Sequence, residues 1–349
     1  MDRFWGKCSI FLLAVLFFLA NAFADSPRRV IIDTDPGIDD AMAILLALNS
    51  PELKVEALTV VPGNVDGRQG LENALKLVSL AGRCDLAVAG GARHPLNQKL
   101  ITAQYWHGKN GLAGVELPAS KCKAASRFGP DLIIELVHQY PHEITLIPIG
   151  PLTNIALAVS KDPSIVSLVK DIVIMGGSIS GGNVNGAVEA NIYGDPEAAA
   201  IVFNAGWMVT MVGSDVGERT LITRKYLADL QSLHGPESDF AAKLADFYLE
   251  RAEKSGYQGA AMYDPLAVGV VIDPKLVTLK DMHVDVETKG EFTRGETVAN
   301  RMGSEENNVL HGDHYEIDGV IVLKPNARVC LASDADRFLQ LFISRLKGK

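Results

Sequence analysis

The sequence predicts an α/β fold, with a mostly parallel (mixed) central sheet flanked by helices, on three observations. Short apolar runs of strand length alternate with helical patterns from residue 28 onward, as in βαβ units. Polar residues repeatedly follow those runs, as in doubly wound folds that gather an active site from strand-end loops. No repeat or low-complexity linker divides residues 28–349, a stretch long enough for one large domain with a substantial core.

In chain order, Val30–Ile32 reads as a short buried strand and Ile38–Leu48 as a helix. Strands follow at Val55–Val60, Ile144–Ile149, Ile172–Met175 and Met208–Val212. Helical patterns cover Gly70–Ala81, Asp131–Tyr140, Thr153–Val159 and Pro196–Asn204. Residues 220–265 are helix-rich and are expected to cap the site. Alternation with turns over 276–325 predicts a small C-terminal β appendage before a last helix at Ser333–Arg345.

The first residues read differently. Arg3 and Lys7 precede an apolar run from Ile10 to Ala20, too short to span a bilayer comfortably, and Ala22-Phe23-Ala24 fits a small-x-small cleavage site. This predicts a signal peptide over 1–24, a single domain over 25–349, and export to a periplasm or medium, with no membrane association after cleavage. The formal charge of -9 and the lack of a basic run argue against nucleic acid as a partner. Cys8 would leave with the signal. Cys84, Cys122 and Cys330 are too widely spaced for a metal motif; at most one bridge can form among them, and none is expected.

The chemistry concentrates in Asp33-Thr34-Asp35-Pro36-Gly37-Ile38-Asp39-Asp40, four carboxylates in eight residues at the end of the first strand. Like charges this close repel unless something positive is present, and a hard cation held by oxygens is the simplest partner. Asp33 and Asp35 point to one side of an extended chain, and Asp39 and Asp40 open a helix whose dipole favours them. One of the four as a helix cap, with the rest solvated, would leave the cluster unexplained. In Met262-Tyr263-Asp264-Pro265, Asp264 reads as an N-cap with Pro265 at the first helical position. If that loop closes over the cluster, three carboxylates, a carbonyl and waters suit Ca²⁺ better than Mg²⁺. Asn183, Glu189 and Asn191, in a Gly-rich stretch, suit sugar hydroxyls or plain turn chemistry. His107, in Trp106-His107-Gly108, is either structural or catalytic. His138 and His142 are separated by Pro141, which spoils a helical metal pair, and His311 and His314 read as surface.

Together these residues resemble the nucleoside hydrolase family, which includes inosine–uridine-preferring enzymes. The similarity runs from Val30 to the last helix, through Asp-x-Asp-Pro-Gly-x-Asp-Asp, Gly63-Asn64, His107-Gly108, Gly150-Pro151-Leu152-Thr153-Asn154, Met175-Gly176-Gly177, the Asn183/Glu189/Asn191 set and Asp264-Pro265. The resemblance implies a Rossmann-like nucleoside hydrolase fold and hydrolysis of ribonucleosides to free base and ribose. It implies Asp35, Asp40, Asp264 and the Ile149 carbonyl as Ca²⁺ ligands, and Asp35 as general base. Asp39 would hold the ribose 2′-hydroxyl, Asn64 and Asp264 would orient the sugar, and Asn183, Glu189 and Asn191 would grip its 5′ end. Met175 would pack on the sugar and Asp33 would back the cluster. A homodimer or homotetramer is likewise implied.

Tyr263 departs from the pattern, because several family members carry a His there as leaving-group acid. With an ordinary pKa of about 10, a tyrosine is a weaker donor at neutral pH, although it can still hydrogen-bond or stack; His107 would then assist at the base. Two rival readings compete. A haloacid dehalogenase-type phosphatase would use Asp33 as nucleophile, but leaves Asp39, Asp40 and the Asn183/Glu189/Asn191 set unexplained. An exported, non-catalytic nucleoside-binding protein would account for Tyr263, but not for an intact set of metal ligands and base.

Overall fold

The computed structural model describes residues 26–300, 310–311, 314–317 and 320–347; the expected signal segment 1–24 lies outside them. A nine-stranded sheet runs through the molecule. Its strands are β1 (Arg28–Thr34), β2 (Leu53–Val60), β3 (Ala87–Gly90), β4 (Thr145–Pro148), β5 (Asp171–Met175) and β6 (Val209–Val212), then β9 (Val277–Val286), β10 (Thr297–Asn300) and β14 (Ala327–Ser333). Leu221–Ile222 (β7) and Ala260–Ala261 (β8) pair separately, and β11 to β13 (Leu310–His311, His314–Ile317, Val320–Leu323) form a small antiparallel sheet. The order in the large sheet is β10-β9-β14-β6-β5-β4-β1-β2-β3. All neighbours from β14 to β3 are parallel; β9 and β10 are added antiparallel.

Strand β1 pairs with β2 on one side and β4 on the other, so the chain reverses its direction of growth there. In an open α/β sheet that reversal opens a crevice beyond the strand ends. The acidic motif leaves β1 at this point, and Ile149-Gly150 leaves β4 beside it. Burial on both faces explains the unbroken apolar runs: Val30 and Ile32 pack into the core under helix Ile38–Leu48, and Ile31 into the core on the other face with Leu132 and Ile155.

Helix Ile38–Leu48 ends where the sequence places it, while β1 extends past its apolar run because pairing on both sides carries Asp33 and Thr34 into the sheet. The helix-rich region resolves into Arg224–Gln231, Pro236–Lys254 and Tyr263–Ile272. The C-terminal expectation needs correction. Among the described residues of this region only β11 to β13 stand apart; β9, β10 and β14 widen the main sheet, their apolar side packed by Met282, Val284, Ala327 and Val329. Strand alternation reports a buried face but does not say which strand will be the neighbour. Strand β3, only four residues long, is not among the strands that the sequence predicts.

The cysteine reading is also corrected. Cys84 and Cys122, 38 positions apart, form a disulfide with a Cα–Cα distance of 4.9 Å, while Cys330 is a buried thiol. Spacing alone could not show that the turn after helix Gly67–Leu80 meets the loop beyond His107. A loop of that size restricts the unfolded chain by about 4 kcal/mol. Replacing Cys84 with Ser is therefore expected to cost ~2–4 kcal/mol in urea unfolding; an unchanged midpoint in oxidised protein would contradict the pairing.

Candidate active site

Asp33 is held from behind: Thr59 Oγ1 on β2 donates to its Oδ1 at 2.5 Å, and Asn154 Nδ2, from the helix after β4, donates at 2.7 Å. Burial pushes its carboxyl up to about 7. The next turn is organised by Asp40. Its carboxylate accepts from Thr34 Oγ1 at 2.6 Å, from the Asp35 and Gly37 N–H groups at 3.2 and 2.9 Å, and from Asn64 Nδ2 at 2.9 Å. Asp35 Oδ2 accepts the Asn64 N–H at 2.6 Å. Its Oδ1 and Asp39 Oδ1 are buried without a hydrogen-bond donor.

Asp264 comes to this cluster from helix Tyr263–Ile272. Met262, not Asp264, is the N-cap. Starting the helix two residues early turns Asp264 into the first turn, where its carboxyl joins Asp39 and Asp40 with oxygens within 4.8 Å of one another. This trio includes Asp39, which the family resemblance assigns to the sugar, while Asp35 stands beside it. Burial, followed by the neighbouring carboxylates, raises Asp35 and Asp264 well above the ordinary range and Asp39 to about 8. Two orphaned carboxylate oxygens beside three convergent carboxyls make an all-oxygen donor set that could hold a hard divalent cation.

Asp35, Asp39 and Asp264 open into a cavity of about 390 Å³, also lined by Asn64, Ile149, Met175, Asn183, Glu189, Asn191, His107 and Tyr263. No Lys or Arg lines it among the described residues. Glu189 caps the helical turn Ala190–Gly194, accepting from the Asn191 and Ile192 N–H groups and, across the wall, from Gly177 N–H. Burial raises it to about 7. Asn191 Nδ2 donates to the Ile149 and Met175 carbonyls at 3.0 and 3.1 Å, tying together the ends of β4 and β5. Asn183 Oδ1 accepts from Ala190 N–H.

His107 is committed more firmly than its motif suggested. Its Nδ1 accepts the Ile38 N–H at 3.1 Å and lies 3.7 Å from Asp39 Oδ1, and burial lowers its pKa to about 4. The ring is neutral at pH 7, with its proton on Nε2. Burial, and then Glu218, raise the Tyr263 hydroxyl, which stays protonated. In the helix-rich region 220–265, Tyr248 and Tyr257 are among the residues that line the cavity, while Arg251 stacks on Tyr105 and Phe247. Nothing in the sequence pattern singles out Thr34 or Thr59; it is the β1–β2 register that sets Thr59 opposite Asp33.

Residues 30–340 match the family model described as inosine-uridine preferring nucleoside hydrolase. The chain belongs to this family. It is 38% identical over 319 residues to the pyrimidine-specific ribonucleoside hydrolase RihA of Enterobacter sp. (strain 638), covering 91% of this chain and 97% of that one. The RihA of Escherichia coli O9:H4 (strain HS) is 39% identical over 91% of this chain and 98% of its own. Among solved structures, the plant nucleoside hydrolase PpNRh1 aligns with a TM-score of 0.84 at 38% identity, over 93% and 100% of the two chains. A purine-preferring ribonucleoside hydrolase from Gardnerella vaginalis aligns with a TM-score of 0.83 at 35% identity, over 92% and 98%. This nucleoside hydrolase therefore shares both the α/β fold and the activity class of its relatives, hydrolysis of ribonucleoside N-glycosyl bonds.

The crowded carboxyls fix how this hydrolase responds to pH. A carboxyl raised by folding binds its proton more tightly folded than unfolded, so it stabilises the fold at low pH and loses that contribution as pH rises through its folded value. With Asp33 and Glu189 near 7 and Asp39 near 8, chelated protein should lose melting temperature between about pH 5 and 8. A bound divalent cation should flatten the loss. A chelated protein that gains stability over that range would contradict the arrangement.

Proposed function

We propose that this chain is a Ca²⁺-dependent ribonucleoside hydrolase in which Asp35 is the general base. The observation that carries this reading is the buried carboxylate group with free oxygens on Asp35 and Asp39. Asp40, Asp264 and Asp35 or Asp39 would hold the cation, with the Ile149 carbonyl in reach of the same crevice. When bound, the cation would supply Lewis-acid lowering of a water's pKa. Asp35 suits the base role: Asn64 N–H fixes Oδ2, Oδ1 is buried without a donor, and burial makes the carboxylate more basic than in water.

Asp39 would accept from the 2′-hydroxyl, and Asn183, Glu189 and Asn191 would form the 5′ wall. An anionic cavity without Lys or Arg among its described lining residues favours the positive charge that develops on the sugar as the base departs. Tyr263 and His107 would serve the leaving base as neutral hydrogen-bond donors, not as charged acids. The names of the RihA relatives support pyrimidine ribonucleosides as the preferred substrates. The apolar run and cleavage pattern before Asp25 support export, and the Cys84–Cys122 bridge accords with an oxidising compartment. A homodimer or homotetramer rests on the family resemblance.

The test is chromatographic, with uridine, cytidine, inosine, adenosine, guanosine and 2′-deoxyuridine, with Ca²⁺ or EDTA. Free base and ribose are expected with Ca²⁺ only, uridine and cytidine leading and the deoxynucleoside rejected. Tight binding without turnover would instead favour a nucleoside-binding protein. Asp35→Ala should lower kcat by about 10²–10⁴ while the protein stays folded; near-normal turnover would remove Asp35 from the base role.

A further inference from the structure

The loop between Gly91 and His107 forms one wall of the cavity, with Ile101, Ala103 and Trp106 on it, yet it contains only a four-residue helix. Its far end is fixed to the acidic turn: Ala103 N–H donates to the Asn64 carbonyl at 3.2 Å, and His107 Nδ1 accepts from Ile38. The near end is fixed elsewhere. Leu96 N–H donates to Asp195 Oδ2 at 2.8 Å. Gln98 Nε2 donates to the Tyr193 and Gly194 carbonyls at 2.8 and 2.9 Å, at the end of the turn capped by Glu189. The remaining group of that amide, Gln98 Oε1, accepts from Arg294 Nη2 at 3.1 Å. Arg294 comes from the segment joining β9 to β10. It is itself locked by a two-pronged pair with Glu197 at 2.7 and 2.8 Å and by the Thr288 carbonyl. Between the two anchors, Ile101 is 56% exposed.

We propose that Arg294 and Gln98 form a clamp that positions the substrate-binding loop: Arg294 fixes the orientation of the Gln98 amide, and the amide docks the loop on Tyr193-Gly194. Neither residue lines the cavity. The clamp therefore acts through the loop, and through a turn shared with the Glu189/Asn191 wall. It couples the two sides of the cavity and joins the sheet extension at β9 and β10 to substrate binding. With the clamp cut, the loop is ordered only when substrate arrives, and binding carries that entropic cost. The proposal rests on the hydrolase reading for its kinetic arm but not for its proteolytic one.

The experiment uses Arg294→Ala, Gln98→Ala, Gln98→Glu and the double Ala variant, each checked for an unchanged circular dichroism spectrum. Two readouts are taken: kcat and KM for uridine with Ca²⁺, and the tryptic cleavage rate at Lys99, an exposed residue of the loop, located by mass spectrometry. Each single Ala variant should raise KM about three- to tenfold with kcat within about twofold. The double variant should be no worse than the worse single one. Cleavage at Lys99 should accelerate. Gln98→Glu keeps an acceptor for Arg294 but loses both donors, so it should behave as Gln98→Ala. Unchanged KM, a fall confined to kcat, additive losses or an unchanged Lys99 rate would overturn the clamp. If no nucleoside is turned over by the parent protein, the hydrolase reading fails on its own, and the Lys99 rate decides the clamp.

Discussion

Everything around the crevice answers to one constraint: carboxylates are crowded into a space from which water is largely excluded. Asp33, Asp35, Asp40 and Asp264 are all at most 3% exposed. Burying one unpaired carboxylate is costly, and neighbours of the same sign add to the cost. The surroundings offset part of it with donors, placing Thr34, Thr59, Asn64 and Asn154 on these oxygens. The oxygens left without donors are where a cation can supply the remainder. The same crowding dictates two glycines. A Cβ at Gly63 would sit 2.1 Å from Asp35 Oδ2, and one at Gly150 would sit 2.6 Å from Oδ1. Those loops can approach Asp35 from both sides only because they carry no side chain there.

The fold's contribution is to bring these loops together. Asp35 follows β1, Asn64 follows β2, Ile149 follows β4 and Met175 ends β5, all at the carboxyl edge of the parallel part of the sheet. Because β1 lies between β2 and β4, three of these strand ends are adjacent in space although Asp35 and Ile149 lie far apart in the sequence. This much was legible from the sequence, since it depends on local signals: apolar runs, the helix at Ile38–Leu48, and polar residues immediately beyond strands. The strand at Val30–Ile32 that leads into Asp33, and the helix that holds Asp39 in its first turn, needed no tertiary information.

What escaped the sequence depends on partners far along the chain. The Cys84–Cys122 bridge joins two turns whose proximity follows from packing alone. The pairing of β14 with β6 and β9 is invisible in alternation, which fixes faces and not neighbours. Asp264 reads as a cap because Asp-Pro is a common helix start; the helix begins two residues earlier, and the aspartate is released to the site. The motif around His107 gave its location but not its bonding, since a lone histidine carries no sign of which backbone N–H will meet its Nδ1.

That bond limits how the leaving base can be helped. A histidine acts as a strong acid near neutrality when its second nitrogen faces a carboxylate or carbonyl that welcomes the proton. Here Nδ1 already accepts from Ile38 N–H, and protonation would break that bond inside a buried pocket. Asp39 Oδ1, at 3.7 Å, is too distant to compensate through a hydrogen bond. Tyr263 is in the same position for a different reason, since ionising it would place another negative charge beside Glu218 and Asp39. Neither group can hand over a proton cheaply, and both can offer a hydrogen bond. On the function proposed above, the weight of catalysis would then fall on the sugar side, where an anionic wall favours the positive charge that develops on the ring.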